Sequence, residues 1–353
     1  MIEIDGSYGE GGGQILRTSV SLSALTMHPV RISNIRAGRP KPGLKRQHIA
    51  GIEVTGKIVG AEIKGLEIGS TGVEFIPRKR SGGTINYDVG TAGSISLVLQ
   101  AALLPAVLTP ESISFNLRGG TDVKWSPPVD YLQNVFVHTL KGLGPHIEIV
   151  QKKRGHYPKG GGIVRCDVIP VERIRPLECV EAGNLRFVEG ISHCVRLPSH
   201  VAERQAAAAE ETILNKLSIK PTIVREAYQK EGDPHLGPGS GIVVWAESEH
   251  GLRVGADSLG ERGKSAERVG NDAASQLVKE VSTGMAIDSH LCDMILPYLS
   301  LAEGNSKIGV TKITSHLTTN VWAVEQILGT HIKVQGKIGE PGTVSIQGKG
   351  LSL

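Results

Sequence analysis

A glycine-rich turn ahead of an apolar segment, Glu10-Gly-Gly-Gly-Gln14-Ile-Leu-Arg17, starts the pattern that organises this chain. The apolar segment has helical spacing as far as Leu25 and turns at His28-Pro29. An alternating strand then runs from Val30 to Arg36. The order of turn, helix, tight turn and strand predicts a helix packed on a sheet.

The same order of features occurs twice more. The turn, helix and strand are 90–93, 97–108 and 112–118 in the second copy, and 314–316, 321–328 and 331–335 in the third. Self-similarity of this kind predicts an α/β (α+β) fold built from a repeated helix-on-sheet unit, although three weak copies can also arise by chance.

A different texture separates the second and third copies. It consists of an Ala/Glu-rich helix at 201–217, a Gly/Pro loop at 232–241, an apolar strand at 242–247 and a helix at 265–281. We predict a smaller α/β domain, 184–283, inserted between the second and third units of a large domain formed by 1–183 and 284–353.

Composition restricts the classes of function. The net charge is +4 and only 4% of the 353 residues are aromatic, so a nucleic-acid contact would depend on phosphates rather than on base stacking. The four cysteines form no Cys-x-x-Cys pair, which argues against a zinc ribbon. Neither a signal peptide nor an apolar run of membrane-spanning length is visible, so we expect a cytoplasmic protein without a membrane partner.

Familiar nucleotide motifs are excluded. Gly263-Lys264-Ser265 resembles the end of a P-loop, but Ser258 stands where the first glycine belongs. Gln14 likewise occupies the last glycine position of a dinucleotide fingerprint.

Glu10, Gln14 and Arg17 form the first candidate site. Bare glycine amides at a helix start bind anions, and residues three apart share a helical face, so Gln14 and Arg17 would project together. Arg17 could meet a phosphate while Glu10 held the accompanying divalent cation. Alternatively, Glu10 caps the helix and Arg17 is a solvated surface charge.

A basic loop forms the second candidate site. Five positive charges fall within the eleven residues Arg36–Arg46, framed by proline and glycine, and Gln47 follows. Arginines on a rigid loop, such as Arg39, suit a terminal phosphate because a guanidinium group can bind two phosphate oxygens at once. The alternative is a solubilising charged loop.

Isolated polar residues in apolar helices are further candidates. Gln100 is the only long polar side chain in its helix, and it either contacts a ligand or is satisfied within the core. His290 and Asp293 are three apart and share a face, which is also compatible with a structural role. His316 begins an apolar helix, where the helix dipole disfavours its protonated form and keeps a nucleophilic imidazole neutral.

Taken together, these segments resemble the RNA 3′-terminal phosphate cyclase family over nearly the whole chain. The motifs that carry the resemblance are Gly9-Glu-Gly-Gly-Gly-Gln-Ile-Leu-Arg17, Ile35-Arg-Ala-Gly-Arg-Pro-Lys-Pro-Gly-Leu-Lys-Arg-Gln-His48, Gly119-Gly-Thr-Asp122, Ser126-Pro-Pro128, Tyr157-Pro-Lys-Gly-Gly-Gly162, His200-Val-Ala-Glu-Arg204, Gln276-Leu-Val-Lys-Glu280 and Ser315-His316. The resemblance implies a large domain of three helix-on-four-stranded-sheet units with a small α/β insert.

The implied reaction closes an RNA 3′-terminal phosphate into a 2′,3′-cyclic phosphodiester, using ATP and Mg²⁺ or Mn²⁺. It passes through a covalent histidine–AMP and an activated RNA-pp-A end. A homodimer is compatible with the resemblance. The roles it implies are nucleophile for His316, metal ligand for Glu10, ATP contacts for Gln14, Gln100, Pro128, Tyr131, His290, Leu291, Cys292, Asp293 and Met294, and phosphate or RNA-end contacts for Arg17, Arg36, Arg39 and Gln47.

Three other interpretations remain open from sequence. The family resembles catalytically inactive relatives that bind protein and RNA during ribosome assembly, and enolpyruvyl transferases use similar repeats. Since fold similarity does not transfer chemistry, the histidine together with the basic loop favours phosphate activation over the chemistry of the enolpyruvyl transferases. A purely RNA-binding module predicts salt-sensitive binding without ATP dependence.

Overall fold

The computed structural model describes residues 1–228 and 234–352 of the chain. The first unit contains β1 (Ile2–Asp5), α1 (Gly13–Thr26), β2 (Val30–Ser33), α2 (Arg46–Ile58), β3 (Glu62–Lys64) and β4 (Val73–Ile76). Its sheet has the order β1-β2-β4-β3, with β1 and β2 parallel and the other pairs antiparallel. The helix α1 is therefore the crossover that a parallel strand pair requires.

The second unit repeats this topology. It contains β5 (Gly83–Asp88), α3 (Ile95–Ala106), β6 (Ile113–Gly119), α4 (Val129–Tyr131), a π-helical turn (Leu132–Phe136), α5 (Val137–Leu143), β7 (His146–Lys153) and β8 (Gly162–Ile169). The sheet order is β5-β6-β8-β7, again with only the first pair parallel.

A separate sheet interrupts the third unit directly after its first strand, β9 (Glu178–Cys179). The elements of this insert are β10 (Leu185–Val195), α6 (His200–Leu217), β11 (Thr222–Tyr228), β12 (Gly239–Ser248), β13 (Arg253–Leu259) and α7 (Ala266–Val281). Its strands form the sheet β11-β10-β12-β13, and α6 and α7 pack on it around their own apolar cluster. The predicted Gly/Pro loop 232–241 begins at 232 and 233, which lie outside the described residues.

The third unit resumes with α8 (Ser289–Leu299), β14 (Asn305–Val310), α9 (Ser315–Leu328), β15 (Ile332–Gln335) and β16 (Gly342–Gln347). Its sheet order is β15-β16-β14-β9, with β9 parallel to β14. Three units with one topology confirm the predicted fold class. No helix within the described ranges is long and apolar enough to cross a membrane.

The prediction from sequence matched the wrong helix of the third unit, the one at 321–328, to the first helices of the other two units. The helix equivalent to α1 and α3 is α8, because it is the one described helix outside the insert that lies between the parallel strands β9 and β14. The segment 314–335 contains α9 and corresponds to α2 and its following strand. Both kinds of helix follow a small-residue turn and precede a strand, so only strand pairing separates them. For the same reason the insert lies within the third unit, not before it; the boundaries 184 and 283 stay a prediction.

Helices of the three units pack against one another. The helix α1 packs against α2, α3 and α9, and α8 packs against α9. Side-chain caps fix where three of these helices begin: Ser94 for α3, Asp288 for α8 and Thr314 for α9. The start of α9 lies beside the turn 5–12, which leads into α1, since His316 Nε2 is 3.2 Å from Glu10 Oε2.

Candidate active site

His316 lies in the first turn of α9. The turn is fixed because Thr314 Oγ1 accepts a hydrogen bond of 2.9 Å from the amide of Leu317. The imidazole is about half exposed, and its Nε2 lies 3.2 Å from Glu10 Oε2. Burial lowers the pKa of His316; Glu10 opposes that shift, and the charges of Arg17 and Arg39 reinforce it. The imidazole is therefore neutral near pH 7.

Glu10 belongs to the turn and not to the helix. The N-cap of α1 is Gly12, which has no side-chain cap, so the alternative that Glu10 caps the helix is wrong. Glu10 Oε2 also lies 3.8 Å from Arg39 Nη2, and Arg39 is nearly half exposed. Three segments distant in sequence thus bring a carboxylate, a guanidinium and an imidazole together.

The close approach of α9 to this turn depends on a glycine. Gly9 has a left-handed backbone conformation with φ of +58°, and a Cβ on it would lie 2.2 Å from Thr319 Oγ1. The Thr319 hydroxyl donates to the main-chain oxygen of Ser315 at 2.7 Å. A side chain at Gly9 would therefore push away the helix turn that holds His316.

Arg17 is only partly exposed and its Nε is buried, which contradicts the alternative of a solvated surface charge. Its Nη2 donates to Gln14 Oε1, as the shared helical face predicted, and its Nε has no hydrogen-bond partner among the described residues. Burial lowers the pKa of Arg17 to about 10, which leaves it charged at neutral pH. An unsatisfied buried guanidinium nitrogen is a group that an anionic ligand would stabilise.

A cavity of about 30 Å³ collects several of the predicted site residues. Its lining includes Gln14, Arg17, Gln100, Asp293 and Met294. Burial raises the pKa of Asp293 to about 7, against the opposing charges of His290 and Arg17. Asp293 Oδ1 has no hydrogen-bond partner in the described part of the chain. The prediction that these residues share a site is compatible with this arrangement.

The beginning of α8 is held by residues that the sequence interpretation partly missed. Asp288 Oδ1 accepts hydrogen bonds from the amides of His290 and Leu291, each 2.9 Å, and from the hydroxyl of Tyr131 at 2.7 Å. Tyr131 is fully buried, and the ring of His290 meets it edge-on at 6.4 Å. Tyr131 thereby positions His290.

Some residues that were predicted to contact ATP have buried side chains. Pro128 is buried, and the side chains of Leu291 and Cys292 lie entirely in the apolar core. The structure therefore contradicts a side-chain contact with ligand at Leu291 and Cys292, and only their main-chain atoms remain for such a role. His290, in contrast, is exposed at the start of α8.

The side chains of Arg36 and Gln47 form hydrogen bonds with main-chain atoms, whereas Arg39 lies beside the carboxylate of Glu10. Arg36 is only 8% exposed, and its Nη1 donates to the main-chain oxygens of Lys41 and Gly43 at 2.8 and 2.9 Å. It braces the basic loop from inside. Gln47 Oε1 accepts from the amide of Ser94 at 3.2 Å and so joins α2 to the start of α3. Phosphate contacts by Arg36 and Gln47 stay a prediction.

Asn320 is a site residue that sequence reasoning missed. This fully buried residue on α9 accepts a hydrogen bond of 2.6 Å from Thr18 on α1. It donates one of 2.7 Å to the main-chain oxygen of Asp293 on α8. A lone amide in an apolar helix is the same signal that singled out Gln100, and it was available in the sequence.

Known proteins resemble this chain over almost its full length. The family model described as "RNA 3'-terminal phosphate cyclase" matches residues 8–334. A protein of that name from Methanopyrus kandleri is 57% identical over 350 residues, covering 99% of each chain. Namesakes from Ignicoccus hospitalis and Pyrococcus furiosus are 53% and 52% identical over 350 and 346 residues, covering 99% and 98% of each chain. With the fold, the site and these matches together, the chain belongs to the RNA 3′-terminal phosphate cyclase family.

Proposed function

We propose that this enzyme converts the 3′-terminal phosphate of an RNA into a 2′,3′-cyclic phosphodiester in an ATP-dependent reaction, with His316 as nucleophile. The name shared by its full-length relatives supports the cyclase activity. The observation that carries the role of His316 is its position at the start of α9, neutral and half exposed, beside Glu10 and Arg39.

The first step is attack of the neutral His316 imidazole on the α-phosphorus of ATP. A P–N bond forms, the bond between the α-phosphorus and its bridging oxygen breaks, and pyrophosphate leaves. The histidine is then covalently linked to AMP. The lowered pKa of His316 supports this step because an imidazolium has no lone pair to donate.

Arg17 and Arg39 are suited to hold the phosphates during this step. Both guanidinium groups lie close enough to lower the pKa of His316. Arg17 has an unsatisfied nitrogen in a buried setting, and Arg39 is exposed and can move toward a ligand. Fixed positive charge stabilises the negative charge that develops on the phosphoryl oxygens.

Glu10 is the residue that fits a divalent cation, Mg²⁺ or Mn²⁺. Magnesium is usually held by one or two carboxylates together with substrate phosphates, so a single accessible carboxylate beside the nucleophile is an adequate protein ligand. The ion would neutralise phosphate charge. Gln14, Gln100, His290 and Asp293 are proposed to contact the nucleotide around it.

Two further steps complete the reaction. An oxygen of the RNA 3′-phosphate attacks the phosphorus of the histidine-bound AMP, the P–N bond breaks, and an RNA-pp-A end forms. The adjacent 2′-hydroxyl then attacks the terminal RNA phosphorus, loses its proton and displaces AMP. Proximity favours this ring closure, because the attacking oxygen and the phosphorus belong to the same nucleotide.

The test is covalent labelling of the protein with ATP that carries its label on the α-phosphate. The proteins compared are wild type, His316→Ala and the control His331→Ala. The control changes a histidine outside the candidate site whose side chain is 82% exposed. Each protein is incubated with the labelled ATP and Mg²⁺ or Mn²⁺ and run on a denaturing gel. We expect acid-labile label on wild type and the control, none on His316→Ala, and none from γ-labelled ATP. Labelled enzyme should then cyclise an RNA with a 3′-phosphate and leave a 3′-hydroxyl RNA unchanged.

Wild-type protein that takes no label with either metal, yet binds RNA in a salt-sensitive manner without ATP, would overturn the proposal in favour of a non-catalytic RNA-binding relative.

A further inference from the structure

Two buried histidines and a buried aspartate meet where the second unit contacts the insert. Asp122 follows the end of β6, His156 lies between β7 and β8, and His193 is on β10 of the insert. Asp122 is 2% exposed, His156 7% and His193 not at all. The cluster does not include His316 and has no part in the proposed reaction.

The three side chains direct their polar atoms at one point. The Nε2 atoms of His156 and His193 are 3.0 Å apart. Each lies close to the carboxylate of Asp122: His156 Nε2 is 3.9 Å from Oδ2, and His193 Nε2 is 3.7 Å from Oδ1. In a tetrahedral zinc site with bonds of about 2.0–2.1 Å, neighbouring ligand atoms lie about 3.3 Å apart. The distance between the two Nε2 atoms and the distance from His193 Nε2 to Oδ1 bracket this value.

One carboxylate oxygen of the aspartate is available as a ligand atom, although Arg154 Nη1 lies 3.5 Å from it. Asp122 Oδ1 is buried and has no hydrogen-bond partner among residues 1–228 and 234–352, while Oδ2 accepts a hydrogen bond of 2.6 Å from Thr121 Oγ1. The Thr121 oxygen in turn accepts one of 2.8 Å from the amide of Gly155. A ligand carboxylate oriented by a second hydrogen bond is the usual arrangement at protein metal sites.

The backbone of β12 makes room for both imidazoles. A Cβ on Gly239 would lie 2.1 Å from Cγ of His156, and one on Gly241 would lie 3.1 Å from Cε1 of His193. The rings are thus packed against main chain and kept in their converging orientation.

The surrounding charge also favours a dication. Arg154 is the guanidinium at this place, and it faces three carboxylates: Asp130 at 2.7 Å, Glu226 at 2.8 Å and Asp122 at 3.5 Å. With the histidines neutral and the carboxylates ionised, this guanidinium faces three carboxylates among the described residues, of which Asp122 and Asp130 are buried and Glu226 is 30% exposed. The two buried carboxylates leave one negative charge uncompensated, which is costly in the interior and which a divalent ion would balance.

We propose that Asp122, His156 and His193 bind a divalent transition-metal ion, with zinc the expected metal, which joins the second unit to the insert. Two imidazoles and a carboxylate are a common zinc ligand set, whereas Mg²⁺ prefers oxygen ligands alone. A bound water completes four coordinate positions. Because the ligands come from both parts of the fold, the ion stabilises their contact.

Zinc retention by untagged protein tests the proposal. Wild type is stripped with a chelator, loaded with Zn²⁺, desalted into a weak competing chelator and analysed by atomic spectrometry. The variants are His156→Gln, His193→Gln and Asp122→Asn, and the matched control is His250→Gln, an exposed histidine of the insert. We expect about one zinc per chain in wild type and control, and at least about tenfold weaker retention in the variants.

Two further measurements keep the test decisive if a variant misfolds. Wild type loaded with Co²⁺ should show the intense visible absorption of a tetrahedral site, and zinc should raise its unfolding temperature. The proposal is overturned by wild-type protein that retains no zinc above the buffer blank. It is equally overturned by folded His156→Gln and His193→Gln variants that retain as much zinc as wild type.

Discussion

The side-chain amide of Asn320 donates a hydrogen bond of 2.7 Å to the main-chain oxygen of Asp293. This contact joins α9, which carries His316, to α8, which carries the buried carboxylate of the candidate site. The oxygen of the same amide accepts from Thr18 on α1, so one side chain holds three helices of two repeat units in register. The distance between His316 and the residues proposed to contact ATP is thereby fixed from inside the core.

Replacing Asn320 by alanine should lower both stability and self-adenylation. Thr18 and the Asp293 oxygen would each lose a partner, and a buried unsatisfied polar group costs about 1–3 kcal/mol. Denaturant unfolding measures the loss of stability, and labelling by ATP measures the loss of rate. In a double-mutant cycle, Thr18→Val and Asn320→Ala should be strongly non-additive; additive effects would contradict the bridging role.

Asp293 gives the protein a pH-dependent stability with a defined sign. Because burial raises its pKa to about 7, the folded state binds more protons than the unfolded state between roughly pH 4 and 7. The free energy of unfolding of wild type should therefore fall as pH rises through this window. Asp293→Asn carries no such charge and should gain stability relative to wild type from pH 5 to pH 8, by roughly 4 kcal/mol at most.

Denaturant unfolding of both proteins at several pH values checks this expectation. The control is Asp272→Asn, an aspartate with a half-exposed side chain. A pH-independent difference between Asp293→Asn and wild type would show that Asp293 ionises at its ordinary pKa.

The local elements of this fold could be predicted because caps, glycines and apolar spacing are short-range signals. The helix starting at 265–266 and the strand beginning at Val30 follow from such signals alone. The equivalence of α8 with α1 could not be predicted this way. It depends on the pairing of β9 with β14, which the insert separates by more than a hundred residues.

In the candidate site, too, some features could be predicted from local sequence and others depend on the folded chain. Side chains that stand out locally, such as His316, Glu10 and Arg39, lie together in the structure. The inward orientation of Arg36 could not be foreseen, because it depends on two carbonyl groups of the folded loop. The contacts of His193 with Asp122 and His156 could not be predicted from sequence either, because those two residues belong to a different part of the fold.

Arg36 and Arg39 should respond differently to the same conservative change. A lysine at position 36 reaches one of the two loop oxygens at most, so Arg36→Lys should lower the free energy of unfolding by about 1–3 kcal/mol. Arg39 has an exposed side chain, and Arg39→Lys should leave stability within about 0.5 kcal/mol of wild type. It should nevertheless slow self-adenylation about tenfold or more.

Unfolding and labelling of both variants in parallel separate the two roles. If Arg36→Lys kept full stability and lost activity alone, Arg36 would be a phosphate ligand rather than a brace.

Gly9→Ala should disturb the nucleophile without touching it. The new methyl group would overlap Thr319 Oγ1, and alanine at a φ of +58° costs about 1–2 kcal/mol by itself. Overpacking adds about 1–3 kcal/mol. Since Glu10 follows directly and Thr319 belongs to the first turns of α9, we expect a slower labelling of His316 together with a lower unfolding temperature.

The double variant Gly9→Ala with Thr319→Ala removes the overlapping oxygen but keeps the backbone strain, so it should recover part of the stability and most of the labelling rate. Equal labelling defects in the single and double variants would mean that the turn conformation at Gly9, and not its contact with α9, controls the site.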